Sequence, residues 1–313
     1  MKNRTISVVA QSNRDFDSLE QKLTEAAEWI ELAARQGSQL VVLPEMVNSY
    51  CGDGVGNPRA IPSRQAALRD WQAETTLVRE AARRANIALA LPVTHIEEDR
   101  LCNSFFLLDK NGVCLGRYDK AFPTPSELDE GMLPAKPALM EWEGIALGGA
   151  ICFDTCFPEV IEEQSAAGAQ LNLVPSLRPG GSQLNHFARQ HSMRFALAYP
   201  AWSRIIDIDG KEMASGGFRH ETLRFGFGVP VYTATINFGR VALYGNHNQE
   251  KIKAISQKYG DRVRISFDQE NVLFFLDTTD PALPEERVIA EFDLIPSRKY
   301  FEDCRRAVQC KRI

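Results

Sequence analysis

Three residues of this 313-residue chain pair a reactive side chain with a place where a strand reads as ending. Cys152 closes the run Gly148-Gly149-Ala150-Ile151 and is followed by Phe153-Asp154-Thr155-Cys156-Phe157, then by Pro158-Glu159, which opens a helix. Proline suits a first helical turn because its missing N–H has no partner there, and an acid at that end meets the positive end of the helix dipole. The thiol of Cys152 is thus set between strand and turn, where a turn's backbone N–H groups are free to meet an oxyanion. Glu45 follows Val41-Val42-Leu43-Pro44, and Lys120 follows Gly116-Arg117-Tyr118-Asp119. Ligand sites in α/β sheets collect beyond the carboxyl ends of strands, so the three groups can meet in one pocket. Alone, each has an ordinary reading: a buried structural cysteine, a turn-capping glutamate and a surface lysine.

The elements that must position these groups follow from periodicity and punctuation. Residues 4–10 are rich in β-branched side chains and read as a strand. Leu19, Leu23, Ala26, Ala27, Ile30 and Ala34 recur at helical spacing over residues 17–37, with Asp17 or Ser18 as cap and Gly37 as stop. Residues 40–43 make a short apolar strand that delivers Glu45 at its end. Gly52, Gly54 and Gly56 give a loop, residues 63–85 a second helix and residues 87–91 a third strand. Asn111-Gly112 suits a primed turn between strands over 103–108 and 113–118. The expected continuation is a strand over 145–151, a helix over 158–167, a strand over 171–174, a helix over 182–198 and a strand pair over 201–214. Beyond these come strand-like runs at 233–236, 263–267 and 272–275 and a last strand over 288–294. No repeat, low-complexity tract or linker divides the chain, so residues 1–313 read as one domain with two mixed sheets and outer helices.

Taken together, Leu40-Val41-Val42-Leu43-Pro44-Glu45, Gly116-Arg117-Tyr118-Asp119-Lys120 and Ile151-Cys152-Phe153-Asp154 with Phe157-Pro158-Glu159 resemble the nitrilase, or carbon-nitrogen hydrolase, superfamily in order and approximate spacing. The resemblance covers residues 4 to about 215; the part after that diverges and matches loosely through Ala290-Glu291-Phe292-Asp293-Leu294. It implies an α/β fold, a four-layer αββα sandwich, and a homodimer or higher homo-oligomer. It also implies Cys152 as nucleophile, Glu45 as general base and Lys120 as stabiliser of the oxyanion, with the backbone N–H of Phe153 as second donor. A carboxylate that takes the thiol proton and an ammonium beside the resulting charge make physical sense of those roles. Family members carry a second glutamate after the lysine; Glu127 fits by distance from Lys120, and Glu130 is the alternative by its pairing with Gly131. Ser176 and Arg178 follow the strand after the nucleophile, where the family lines its substrate pocket. Arg178 suits a substrate carboxylate or is an exposed loop arginine, and Asp154 either contributes there or orients the turn around Cys152. No metal and no organic cofactor is called for.

The implied reaction is hydrolysis of a non-peptide carbon–nitrogen bond in a small amide or N-carbamoyl compound through a thioester, releasing ammonia or an amine. Its rivals are nitrile hydrolysis by the same thiolate and a catalytically silent binding subunit of the same fold. Histidines His186 and His191 are available for a Cys-His enzyme, but no local signature of that class surrounds Cys152. The glycines at 52, 54 and 56 lack the Gly-x-Gly-x-x-Gly spacing of dinucleotide binding. A net charge of −5 gives no basic field for nucleic acid or anionic membrane, so a small-molecule substrate is the expected partner. Seven cysteines without paired spacing, no long apolar run and a first segment poor in apolar residues lead to an expected cytoplasmic location with reduced thiols.

Overall fold

Residues 3–11, 15–50, 61–217 and 230–311 are described in a computed structural model of the chain; the Gly52, Gly54 and Gly56 loop lies outside them. The first sheet begins with β1 (Asn3–Val9), β2 (Leu40–Val42) and β3 (Ala88–Glu97) in parallel, and continues antiparallel through β4 (Arg100–Leu108) and β5 (Cys114–Asp119). The second contains β6 (Met140–Trp142), β7 (Ile145–Gly149), β8 (Leu171–Pro175), β9 (Arg194–Ala198), β10 (Ser203–Ile206) and β11 (Glu212–Gly216), with β7, β8 and β9 parallel at its centre. β12 (Val231–Asn237) returns to the first sheet beside β1. The orders β12-β1-β2-β3-β4-β5 and β11-β10-β9-β8-β7-β6 run alongside each other, so the sheets meet at both edges, β5 with β6 and β12 with β11.

Alternation of side chains explains the layering. Ile6, Val8, Leu40, Val42, Phe105 and Leu107 face Leu147, Leu171, Leu173, Ala196 and Ile205 across a closed interior between the sheets. The opposite sides of the same strands, through Val9, Val41, Leu89 and Leu91, bury Leu23, Ala26 and Ile30 of the helix Leu19–Arg35 and Val78 of the helix Thr76–Arg84. Val174, Phe195 and Leu197 likewise cover the helices Pro158–Ala166 and Gln183–His191. The result is helix, sheet, sheet, helix, in agreement with the αββα expectation. Each large apolar side chain so buried contributes about 1.5–3 kcal/mol. Gly149, at the end of β7, marks a close approach of the sheets: a Cβ there would lie 2.6 Å from Tyr118 and 2.8 Å from Phe105.

Four elements differ from the sequence reading. The helix expected over 63–85 is three pieces, Ser63–Ala66, Trp71–Glu74 and Thr76–Arg84, because Leu68 leaves the helical path to bury itself and bridge to His95. The helix expected over 182–198 stops at Ser192, which takes a left-handed conformation, and Arg194–Ala198 is the fully buried strand β9. A strand buried on both faces is apolar on both, which erases the period of two that identifies a strand. The strand expected over 288–294 is the helix Glu285–Glu291. Finally, the runs at 263–267 and 272–275 belong to a third sheet of β13 (Val241–Tyr244), β14 (Val263–Asp268) and β15 (Leu273–Thr278), not to either large one.

This third sheet, with the helices Gly245–Tyr259 and Ser297–Gln309, is tied to the sandwich by a buried ionic cluster. Arg194 at the start of β9 meets Asp207 at 3.1 Å, and Arg240 reaches Asp207, Asp209 at 3.3 Å and Asp277 at 3.2 Å. Both guanidinium groups also lie over aromatic rings, Arg194 over Phe238 and Arg240 over Phe275. No described helix is long and apolar enough to cross a membrane.

Candidate active site

Strand ends and two unusual backbone turns create the site. After β2 the chain runs through Leu43, whose N–H donates to Ala90 O, to Glu45; the next residue, Met46, has φ of 55°. After β7, Ala150 N–H donates to Leu173 O, and Cys152 then turns sharply at φ of 49°. A non-glycine residue held there costs about 1–3 kcal/mol and persists where its surroundings over-determine it. Lys120 directly follows β5, with its N–H donating to Asn103 O at 2.9 Å. Glu45 and Lys120 are almost wholly buried, 3% and 2% exposed, which no isolated charge would tolerate.

Asp154 holds the two sheets in register at this point. Its carboxylate accepts from Ile151 N at 2.8 Å, next to Cys152, and from Phe122 N at 2.7 Å and the Tyr118 hydroxyl at 2.9 Å, on either side of Lys120. Burial pushes its pKa up to about 6, against the pull of those donors. One side chain thereby fixes the Lys120 segment of the first sheet against the Cys152 turn of the second. Asp154 is fully enclosed, and its carboxylate is occupied by these protein donors.

Four side chains close the charge arrangement. Lys120 Nζ donates to Glu45 Oε1 at 3.0 Å and to Glu127 Oε1 at 2.9 Å. Asn103 Nδ2 donates to the same two oxygens at 2.8 and 3.1 Å. The other oxygen of Glu45 accepts from Leu177 N at 3.0 Å, and the Cys152 thiol lies in hydrogen-bond reach of both Glu45 and that N–H. Burial and the Glu45 carboxylate push the thiol well above its ordinary range, while Lys120 and the Leu177 N–H pull the other way. Burial works against the Lys120 ammonium, but Glu45, Glu127 and Cys152 together raise it above the usual lysine value. Glu127 is opposed by burial as well, and the adjacent Lys120 outweighs this and lowers it. The chemistry available is transfer of the thiol proton to Glu45 next to a fixed positive charge.

Glu127 arrives by helix capping. In the short helix Pro125–Asp129 its N–H donates to the Thr124 hydroxyl while its Oε2 accepts from Thr124 N at 2.7 Å, leaving Oε1 for Lys120. Glu130, the alternative, instead accepts from Arg64 N at 3.0 Å and is not brought to the site.

With this geometry in view, the sequence profile of the carbon-nitrogen hydrolase family matches residues 6–245. The chain belongs to that family. Its curated relatives include the (R)-stereoselective amidase of a Pseudomonas species, 26% identical over 137 residues, 44% of this chain and 47% of that protein. The nitrilase and fragile histidine triad fusion protein NitFhit of Caenorhabditis elegans is 29% identical over 203 residues, 59% of this chain and 43% of its own. The hydrolase in the agr operon of Staphylococcus lugdunensis is 26% identical over 156 residues, 48% of this chain and 63% of its own. The chain thus spans less than two thirds of the length of each. Among solved structures, the Nesterenkonia AN1 amidase from the nitrilase superfamily superposes with a TM-score of 0.61 at 22% identity, covering 74% of this chain and 90% of that one. A double mutant of that amidase in complex with acrylamide gives 0.63 at 21%, covering 83% and 98%. These are likenesses of fold.

Within this carbon-nitrogen hydrolase fold the remaining sequence candidates are placed as follows. Phe153 is the second residue of the 3₁₀ turn Cys152–Cys156, whose first N–H groups have no partner inside the turn. Ser176 is buried, and its hydroxyl accepts from Arg178 N and donates to Arg178 O, so it shapes the chain after β8. Arg178, half-buried, donates to the Cys156 sulfur at 2.5 Å. Sequence reasoning missed Asn103, a single polar residue within a strand pattern, and Lys22, which lies on the buried side of the helix Leu19–Arg35. Lys22 lines a cavity with Gln11, Pro44, Glu45 and Leu177 and donates to Met46 O and Ser49 O, fastening the segment behind Glu45.

Proposed function

We propose that this chain hydrolyses the carbon–nitrogen bond of a small non-peptide amide or N-carbamoyl compound by covalent catalysis at Cys152. The observation that supports this most is the Cys152 thiol within reach of Glu45, with Lys120 hydrogen-bonded to the same carboxylate at 3.0 Å. The thiol passes its proton to Glu45 as sulfur bonds to the carbonyl carbon, and the carbonyl π electrons move to oxygen. The oxyanion is met by the Lys120 ammonium and the Phe153 N–H; one such donor is worth about 10²–10³ in rate. Glu45 returns the proton to the departing nitrogen as the C–N bond breaks, leaving a thioester and ammonia or an amine. Water then attacks the thioester, Glu45 takes its proton, and the thiol leaves with the acid product released. Glu127 keeps Lys120 in place without itself contacting substrate.

A panel of small amides, N-carbamoyl amino acids and nitriles, assayed for released ammonia, is expected to yield turnover with an amide or carbamoyl member. Cys152→Ala is expected to abolish it, and mass spectrometry of the quenched wild-type reaction is expected to show the acyl group on Cys152. Turnover that survives this substitution would sink the mechanism; turnover confined to nitriles would replace the substrate class.

A further inference from the structure

Two carboxylates and one ammonium share this buried site, an imbalance that would ordinarily be relieved by a proton on one carboxylate. Asn103 stands where that proton would be held. It is 1% exposed, and its two N–H groups meet Glu45 Oε1 and Glu127 Oε1, the same oxygens that Lys120 binds. Donors and acceptors alternate around this ring, with two of each. The amide's own oxygen, Oδ1, is buried and has no hydrogen-bond partner among the described residues. An unmet buried acceptor is destabilising, so the site gives something up to keep this orientation. The amide is therefore fixed in the orientation that gives both donors to the carboxylates, at the expense of its acceptor.

We infer that Asn103 is a positioning residue that keeps Glu45 and Glu127 ionised together, so that Glu45 is free to take the thiol proton at neutral pH. A neutral amide supplies two donors without adding charge, whereas a second cation would draw Glu45 away from the thiol. The other titratable groups facing the pair are Lys120 after β5 and Cys152 after β7, with Lys22 on the cavity beside Glu45 and Asp154 acting on Lys120. None supplies the second donor to both oxygens. This inference rests on the proposed role of Glu45, and its test separates the two.

The readout is the pH dependence of Cys152 alkylation by iodoacetamide, followed by mass spectrometry, which needs no substrate; kcat/KM is measured beside it where turnover is found. Asn103→Leu is expected to move the acid limb of both profiles upward by about one unit or more, a tenfold loss below the new limb that is recovered at high pH, with KM little changed. Asn103→Asp, of nearly identical shape, is expected to shift it further, because it adds a third carboxylate. A packing role would rank these variants the other way and lower the profile evenly; either result overturns the inference. Should Asn103→Leu not fold, the double variant with Glu127→Gln has one carboxylate fewer to reconcile. Its limb is expected to coincide with that of Glu127→Gln alone, and a further upward shift in the double variant also overturns the inference. A wild-type protein that turns over no member of the panel would count against the hydrolytic reading, while the alkylation limb still decides the role of Asn103.

Discussion

The parallel strands β7, β8 and β9 carry a buried ionic cluster at each end. At their carboxyl ends Lys120 meets Glu45 and Glu127 beside Cys152. At the start of β9, Arg194 and Arg240 meet Asp207, Asp209 and Asp277. Each cluster has one more anion than cations, so net charge does not distinguish them. The cation does. Guanidinium groups hold several carboxylates in a fixed fork and stack on Phe238 and Phe275, which suits docking the third sheet. The lysine is a compact point charge that acts on the Cys152 thiol, and of these two clusters the lysine's is the one that contains a nucleophile. One arrangement uses its carboxylates to join elements; the other leaves Glu45 within reach of a proton.

The largest effect expected from breaking this distinction is at Lys120. Lys120→Met should reduce turnover by about 10³-fold or more, since the donor to the oxyanion and the counter-charge of the thiolate are lost together. It should also destabilise the fold, because Glu45 and Glu127 are left buried without a cation. Steady-state kinetics on the folded fraction separates the two consequences: activity per folded molecule within tenfold of wild type would deny Lys120 its part in the chemistry.

Next in size is the opposite cluster. Asp207→Asn leaves two buried guanidinium groups short of a carboxylate and should cost about 3–5 kcal/mol by urea denaturation. Because Asp207 lies at the other end of the strands from Cys152, activity per folded molecule should stay within about twofold. A loss of turnover matching that of Lys120→Met would mean that the two clusters act as one, and the division between docking and chemistry would fall.

The legibility of the sequence follows the same division. Glu45, Lys120 and Cys152 could be read because each follows a segment that reads as a strand and stands where that strand ends. The structure brings them together, along with Glu127, whose capping box Thr124-Pro125-Ser126-Glu127 was written in the sequence and would have separated it from Glu130. Asn103 could not be read, since one amide in a strand has no local signature; its meaning lies in two carboxylates from other elements. The docking cluster was equally hidden: Arg194 fell inside a segment read as helix, and its partners come from three other segments of the chain. Sandwich layers depend on apolar periodicity and were recovered, whereas β9 failed because burial on both faces removes that periodicity. The last third, with short strands between helices of weaker pattern, gave the runs at 233–236, 263–267 and 272–275 but neither β13 nor the third sheet, and its helix Glu285–Glu291 was read as a strand.

The smallest expected effect is a difference in the sign of pH dependence, and it tests the comparison without disrupting either cluster's packing. Glu127 is held below its ordinary value of 4.5, because the pull of Lys120 and its hydrogen bonds outweighs burial. The unfolded chain therefore takes up a proton there before the native one does, and the stability Glu127 contributes is present above pH 4.5 and lost as the pH falls through the lower native value. Asp277 is the reverse case: burial, with Asp207 adding to it, raises it above 3.8 despite Arg240. The native state holds a proton there that the unfolded chain has released, so stability falls as the pH rises from 3.8 through the native value. Glu127→Gln should thus lose stability relative to wild type as the pH rises toward and past 4.5, whereas Asp277→Asn should gain on wild type as the pH rises above 3.8. Urea denaturation of the three proteins at closely spaced pH values reads both slopes. Slopes of the same sign would show that the two carboxylates answer to the same balance of burial and charge, and that the choice of lysine at one end and arginine at the other does not divide chemistry from docking.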